Sequence, residues 1–266
     1  MQRIELENLP NTRDLGGIKT KDGKTIKDHK LLRSGQLYIA SKKDIEVLTE
    51  KYQLSLIIDF RSFSEKEEKP DPQINGVKYL YNPIMKEITK GVTRDKKSDD
   101  DTVKMIILDM ANDLSRAEKY MEGIYEQIIN DDYALSQYGK FIDALIENKN
   151  GSSLWHCTAG KDRAGFATVL VLECLGVDRE TIIQDYLLTN DYVKRDIDLM
   201  VNNIKKEYDF PLINEVVHAL FGIKREYLET VYSVINKKYG TMRDFLKEKI
   251  NVDENKIKKM KEMFLY

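Results

Sequence analysis

The chain has 266 residues, 43 of them basic and 45 acidic, and 41% hydrophobic. That length suffices for one large domain or two small ones with a substantial core, and the near-neutral balance excludes the basic footprint of a nucleic-acid-binding protein. No apolar run approaches the roughly eighteen residues of a membrane span, which excludes stable insertion, and Met1-Gln2-Arg3-Ile4-Glu5 has no signal-like apolar stretch. As written the chain reads as soluble and cytoplasmic; a trimmed leader would make it a secreted protein.

In chain order, Asn8 to Gly35 is short of periodic hydrophobics and rich in turn formers such as Gly16-Gly17 and Asp22-Gly23. It predicts loops and small hairpins. Ser41 to Tyr52 opens on a capping-box-like Ser41 with Asp44 three positions on and carries Ile45 and Leu48 at helical spacing, so it predicts a helix. Leu54 to Phe60 is nearly continuous aliphatic, the pattern of a strand covered on both faces. Asp59 and Arg61 lie at its C-terminal end, where open α/β sheets place their sites. They are candidates for substrate binding, or for an ion pair with each other. Val77 to Asn82 predicts a second strand, stopped by Pro83. Met85 to Asp101 is dominated by charged residues and Thr, and the apolar stretch Val103 to Met110 follows. A segment like this, about 84–115, is read as a surface insertion or a lid over a site.

Ala117 to Ile129 and Tyr133 to Glu147 predict helices, with stripes such as Tyr120, Ile124, Ile128 and Phe141, Leu145. Asn150-Gly151 turns the chain into the β-prone run Ser152 to Trp155. Ala164 to Leu175 is almost wholly apolar and stops at Gly176, a helix with a glycine just past its end. Helical patterns continue over Thr181–Leu188, Asp191–Tyr208, Pro211–Phe221, Arg225–Tyr239, Thr241–Ile250 and Asp253–Phe264. In the last of these, Ile257, Met260 and Phe264 form a core stripe beside lysines that would also suit a membrane surface. With no repeat and no linker, the expectation is a single α/β domain over 1–266, with a central mixed or parallel sheet flanked by helices and a helical C-terminal half.

The chemistry lies between Trp155 and Gly165. A loop entering a helix N-terminus presents unpaired N–H groups and the positive end of the helix dipole, a field that binds phosphate and favours a thiolate. Cys157 is the expected nucleophile. Arg163, at the helix start, offers a planar fork of donors that matches two phosphate oxygens and stabilises transition-state charge. Thr158, Ala159, Gly160 and Lys161 complete the cradle, Gly160 by letting backbone approach a ligand closely and Lys161 as a second charge at the rim. His156 is read as structural support, its ring bonded to the loop backbone. The nucleotide-binding pattern G-x-x-x-x-G-K-[ST] is set aside, because Trp155 stands where its first glycine belongs and Asp162 where its hydroxyl residue belongs. Cys174 would lie about 15 Å along the helix from the loop, so no disulfide is expected. His29, His156 and His218 are scattered, so neither a metal site nor a cofactor is expected.

His156-Cys157, five residues, then Arg163 resembles the signature of the cysteine-dependent protein tyrosine phosphatase superfamily. More narrowly, His-Cys-Thr-Ala-Gly-Lys-Asp-Arg resembles a bacterial family of tyrosine and dual-specificity phosphatases that also accept phosphoinositides, some of them secreted by pathogens. Asn11-Thr12-Arg13-Asp14-Leu15-Gly16-Gly17, Arg33-Ser34-Gly35-Gln36-Leu37 and Asp59-Phe60-Arg61-Ser62 agree with it, so the likeness runs from about residue 8 to about 193. The resemblance implies a protein tyrosine phosphatase-like fold and phosphomonoester hydrolysis through a cysteinyl-phosphate. Its implied substrates are phosphotyrosine, with phosphoserine, phosphothreonine or phosphoinositides beside it. It also implies a helical lid and places Asn11 to Gly17 near the active site. The Trp-Pro-Asp loop that carries the acid in many relatives is absent, and the resemblance assigns that role to Asp162, with Asp59 or an acid of the charged segment as alternatives. Ala164 departs from the pattern: relatives commonly have a hydroxyl there that helps the sulfur leave, so the second step is expected to be slow unless Thr158 compensates. Two other readings stay open, a non-catalytic phosphate-recognition module and a phytase-like inositol polyphosphate phosphatase.

Overall fold

The computed structural model describes residues 2–86 and 99–266. Among them, β1 (Gln2–Arg3), β2 (Arg13–Asp14), β3 (Leu31–Ser34), β4 (Leu54–Asp59), β5 (Lys78–Tyr81) and β6 (Ser152–His156) form one sheet in the spatial order β1-β2-β3-β6-β4-β5. The first three pair antiparallel, whereas β3, β6, β4 and β5 run parallel, so the sheet is mixed. Side chains alternate between its faces, as strand geometry requires, except at the irregularity between Leu54 and Leu56 in β4. Leu31, Leu56, Ile58 and Trp155 join the large helical core, and Leu32, Leu54, Ile57 and Leu154 join a smaller one with Ile4, Leu9, Leu37, Leu48 and Tyr52.

The smaller core is covered by α1 (Lys42–Glu46), which continues as a π-helical turn over Val47–Lys51. Ser41 and Asp44 form its reciprocal capping box. The short α2 (Phe63–Glu68) follows β4, and α3 (Asp99–Met110) precedes α4 (Leu114–Asn130) and α5 (Asp132–Glu147). After β6 come α6 (Asp162–Leu175), α7 (Arg179–Leu187), α8 (Thr189–Lys205), α9 (Ile213–Phe221), α10 (Arg225–Tyr239), α11 (Met242–Glu248) and α12 (Glu254–Phe264). Helix α6 runs through the core with nearly every side chain buried, which is why its sequence is apolar all round. Gly176, at φ +83°, ends it in the left-handed conformation.

The structure corrects two of the expected elements. Leu31–Ser34, expected within loops and small hairpins, pairs antiparallel with β2 and is also an inner strand running parallel to β6; four residues with Arg33 among them carry too little alternation for that inner strand to be seen. In α4 the buried stripe is Ala117, Met121, Tyr125 and Ile128, so Tyr120 and Ile124 lie at its edge. The C-terminal lysine-rich helix buries Ile257, Met260 and Phe264, so its apolar face is occupied by the core. Most of the charged stretch of the expected lid, residues 87–98, lies outside the described residues; the apolar stretch after it belongs to α3, with Val103, Ile107 and Met110 buried. No helix among the described residues is long and apolar enough to cross a membrane.

Candidate active site

Ser34 of β3 and Asp59 of β4 both stand level with His156 of β6. The loops leaving all three strands therefore meet at one edge, the C-terminal edge where parallel sheets bind ligands. Cys157 follows immediately and is 3% exposed. The next three carbonyls are each taken from outside the loop: that of Thr158 by the Gln36 N–H at 3.0 Å, that of Ala159 by Asn11 Nδ2 at 2.8 Å, and that of Gly160 by Arg33 Nη2 at 2.8 Å. In a trans peptide the C=O and the following N–H point in opposite directions. Tying the carbonyls outward thus turns the N–H groups of Ala159, Gly160 and Lys161 inward, a concave donor set at the start of the 14-residue helix α6.

Gly160 has a reason the sequence reading did not supply. Its φ is +69°, and a Cβ there would stand 2.5 Å from the Ser34 carbonyl oxygen and 2.7 Å from the Gly35 nitrogen. The crowding comes from the end of β3 behind the loop, so the glycine lets the cradle lie against the neighbouring strand.

Arg163 donates from both terminal nitrogens to Glu65, at 2.6 and 2.7 Å, and both residues are buried. Two of its five donors are used this way and Nη2 also reaches the Thr158 hydroxyl at 3.4 Å, which fixes the fork. Thr158 gives its hydroxyl to the same carboxylate. Glu65 is in turn the third residue of α2, its other bond closing the Ser62 capping box. Burial alone would raise the Glu65 carboxyl. The Arg163 charge and hydrogen bonds, with Thr158 and the Ser62 N–H, outweigh it and hold the group at about 2 against a usual 4.5. A depressed carboxyl contributes stability that is complete above its unfolded value and is lost as pH falls through the folded one. Glu65→Gln is therefore expected to lower stability at neutral pH, and its deficit relative to wild type should shrink as pH falls from about 4.5 to about 2. Denaturant unfolding across that range measures it; a constant deficit would contradict the assignment.

Behind the loop, Asp185 of α7 is shared by two buried cations. Arg13 Nε reaches it at 3.0 Å and Arg33 Nη1 at 2.9 Å, while Arg13 also holds Asn11 at 2.7 Å. Burial opposes the Asp185 charge, and the two guanidinium groups prevail, keeping its carboxyl below the ordinary range. Burial and the neighbouring Arg13 bring the Arg33 guanidinium down to about 10. Two cations against one carboxylate leave a net positive charge behind the cradle, favourable to a thiolate or a bound phosphate.

A second network surrounds His156. Its Nδ1 lies 3.2 Å from the Cys157 carbonyl and its Nε2 2.9 Å from Asp71 Oδ2. Burial works against a charged ring, yet Asp71 and Asp59 raise its pKa. Arg61 clamps Asp59 with three contacts between 2.7 and 3.1 Å and reaches Asp71 at 2.9 Å, and Tyr79 donates to Asp59 at 2.6 Å. Asp59 and Arg61 are thus buried partners and not substrate ligands: both are wholly inaccessible, with their polar edges turned to each other and to Asp71. Asp59, Asp71 and His156 bring ligand atoms within 4.8 Å of one another, a cluster the scattered histidines did not suggest, but Arg61 supplies the countercharge that a cation would otherwise bring.

The remaining cradle residues divide. Lys161 does not stand at the rim; its Nζ donates to the Leu220 carbonyl of α9 at 2.7 Å and lies 3.6 Å from Asp162. Asp162, first residue of α6, accepts from Tyr125 at 2.6 Å and keeps its side chain about a fifth exposed. Ala164 is fully buried, its carbonyl accepting from Trp155 and Thr168. Cys174 is buried and pushed up to about 12, an inert thiol. Glu65, Asp71 and Asp185 escaped the sequence reading; of these only Glu65 left a signal, the Ser62-x-x-Glu65 capping box.

The mixed sheet between helices, with His-Cys, five residues and Arg joining β6 to α6, defines a phosphatase of the protein tyrosine phosphatase type. The chain matches the tyrosine phosphatase family over residues 4–266 and belongs to it. A Cupriavidus necator protein provisionally named a tyrosine-protein phosphatase is 26% identical over 251 residues, 94% of this chain and 85% of the relative. The triple specificity protein phosphatase PtpB of Mycobacterium tuberculosis is 32% identical over 140 residues, half of each chain. A Nostoc commune tyrosine-protein phosphatase is 25% identical over 143 residues, covering 53% of this chain and 42% of the relative.

Proposed function

We propose that this protein hydrolyses phosphomonoesters in two steps through a cysteinyl-phosphate at Cys157, acting on phosphotyrosine and, more slowly, on phosphoserine or phosphothreonine. The observation that carries the proposal is the inward-facing N–H set around Cys157, closed by the Arg163 fork that Glu65 holds in place. In the first step the Cys157 sulfur attacks phosphorus, the bond to the leaving oxygen breaks, and Asp162 gives that oxygen a proton. In the second, Asp162 takes a proton from water as the water oxygen attacks phosphorus and the S–P bond breaks. The triple specificity in the name of the Mycobacterium relative supports breadth of substrate. Lys161, the residue that pointed to phosphoinositides, is bonded to Leu220 instead, so the phosphoprotein reading is favoured over the lipid one and over a phytase-like one. The Thr158 hydroxyl is engaged by Glu65, so a slow second step beside Ala164 stays part of the proposal. In this reading the whole chain works as one phosphatase unit.

Asp162→Asn is expected to lower kcat/KM, which reports phosphoenzyme formation, on phosphotyrosine by about 10²–10³-fold, and by less than about tenfold on an activated aryl phosphate that needs no proton. Steady-state kinetics on the two substrates test this, and equal losses would remove Asp162 from the acid role. Hydrolysis rates on phosphotyrosine, phosphothreonine and phosphoinositide vesicles then rank the substrate classes.

A further inference from the structure

Two tyrosines that the mechanism above does not use are buried beside Asp162. Tyr125 of α4 and Tyr186 of α7 are each 1% exposed. Tyr186 donates its hydroxyl hydrogen to the Tyr125 oxygen at 2.6 Å, and Tyr125 donates its own to Asp162 Oδ1 at 2.6 Å. A phenol has one hydrogen to give. Because Tyr186 spends its hydrogen on Tyr125, the chain has a direction, and Asp162 is the acceptor at its end. Tyr125 is itself fixed by a stacked Tyr227 ring of α10 at 5.9 Å and by the edge of Tyr186 at 6.3 Å.

From this geometry we infer that Tyr125 is a positioning residue for Asp162, with Tyr186 aligning it: the bond to Oδ1 sets the carboxyl rotation, so that Oδ2, which has Lys161 Nζ at 3.6 Å and no hydrogen bond of its own among the described residues, is the oxygen that carries the transferable proton. The inference rests on the reading of Asp162 as the acid. A protonated carboxyl that bears its hydrogen on Oδ2 still accepts at Oδ1, so the anchor survives both halves of the reaction, in which Asp162 first loses a proton and then regains one. Direct charge neighbours are Lys161 and Arg163 on the same segment; Tyr138 of α5, Tyr186, Tyr227 and Tyr125 are the titratable groups on the packed helices. Burial, with Asp162 alongside, keeps the Tyr125 phenol well above its ordinary value, so it remains a donor throughout the working pH range.

The test compares Tyr125→Phe, Tyr186→Phe, Asp162→Asn and the Tyr125→Phe/Asp162→Asn double variant on phosphotyrosine and on 2,4-dinitrophenyl phosphate. Tyr125→Phe is expected to lower kcat/KM on phosphotyrosine about tenfold and on the dinitrophenyl ester less than about twofold, with the double variant no worse than Asp162→Asn alone. Tyr186→Phe should act in the same direction more weakly, and it carries the test if Tyr125→Phe fails to fold. Equal loss on both esters, or a double variant whose losses multiply, would overturn the positioning role while leaving Asp162 as the acid. If Asp162→Asn itself shows no dependence on the leaving group, the acid reading fails and the positioning role falls with it.

Discussion

Cys157→Ser is expected to abolish turnover, by at least about four orders of magnitude in kcat, while phosphate and vanadate still bind the folded protein. The two halves of the result have separate causes. Serine cannot supply an anionic nucleophile in the field of a helix N-terminus, because its hydroxyl does not ionise where a thiol does. The anion site is built from backbone N–H groups whose carbonyls are held by Gln36, Asn11 and Arg33, and none of these contacts involves the sulfur. Burst kinetics with p-nitrophenyl phosphate and calorimetric titration with phosphate check the prediction together. Retained hydrolysis in the serine variant would eliminate the covalent route, and lost binding would eliminate the backbone cradle.

The second large effect belongs to Arg163. Arg163→Lys keeps a positive charge beside Glu65 but loses the planar fork, and kcat/KM is expected to fall about 10³-fold with phosphate affinity falling beside it. That loss of affinity distinguishes it from Cys157→Ser. Arg163→Ala should in addition destabilise the protein by about 3–5 kcal/mol, because Glu65 would be left buried with no cationic partner; Glu65 faces no solvent that could replace it. Removing Glu65 as well, in Arg163→Ala/Glu65→Gln, should restore part of the stability and none of the activity. Thermal unfolding and steady-state kinetics on the three variants separate the structural from the chemical share. Activity of Arg163→Lys within tenfold of wild type would contradict the assigned role.

Much of the fold was legible because its signals are local. The aliphatic run of β4, the capping box at Ser41 and the apolar α6 ending at Gly176 each lie within one window of sequence. Strand β3 was not legible: Arg33 interrupts four residues, and its bonds to Asp185, 152 positions away, and to the Gly160 carbonyl, 127 positions away, let it lie buried. The same distance problem governs the site. Asp59 and Arg61 stand at the right edge of the sheet, yet their side chains turn to each other and to Asp71, a choice that two adjacent charges cannot reveal.

The sequence by itself determined the candidate nucleophile Cys157, its arginine, and the loop that joins them between a strand and a helix, because those residues are contiguous and their spacing is the signal. The tertiary structure alone decided where each side chain points. It placed Glu65 on Arg163 from 98 residues away, Asp185 on Arg13 from 172, and Tyr125 on Asp162 from 37, and it drew Lys161 off the rim to Leu220. Buried charges and hydroxyls must find partners, and which partner is nearest depends on how helices far apart in the chain pack against one loop.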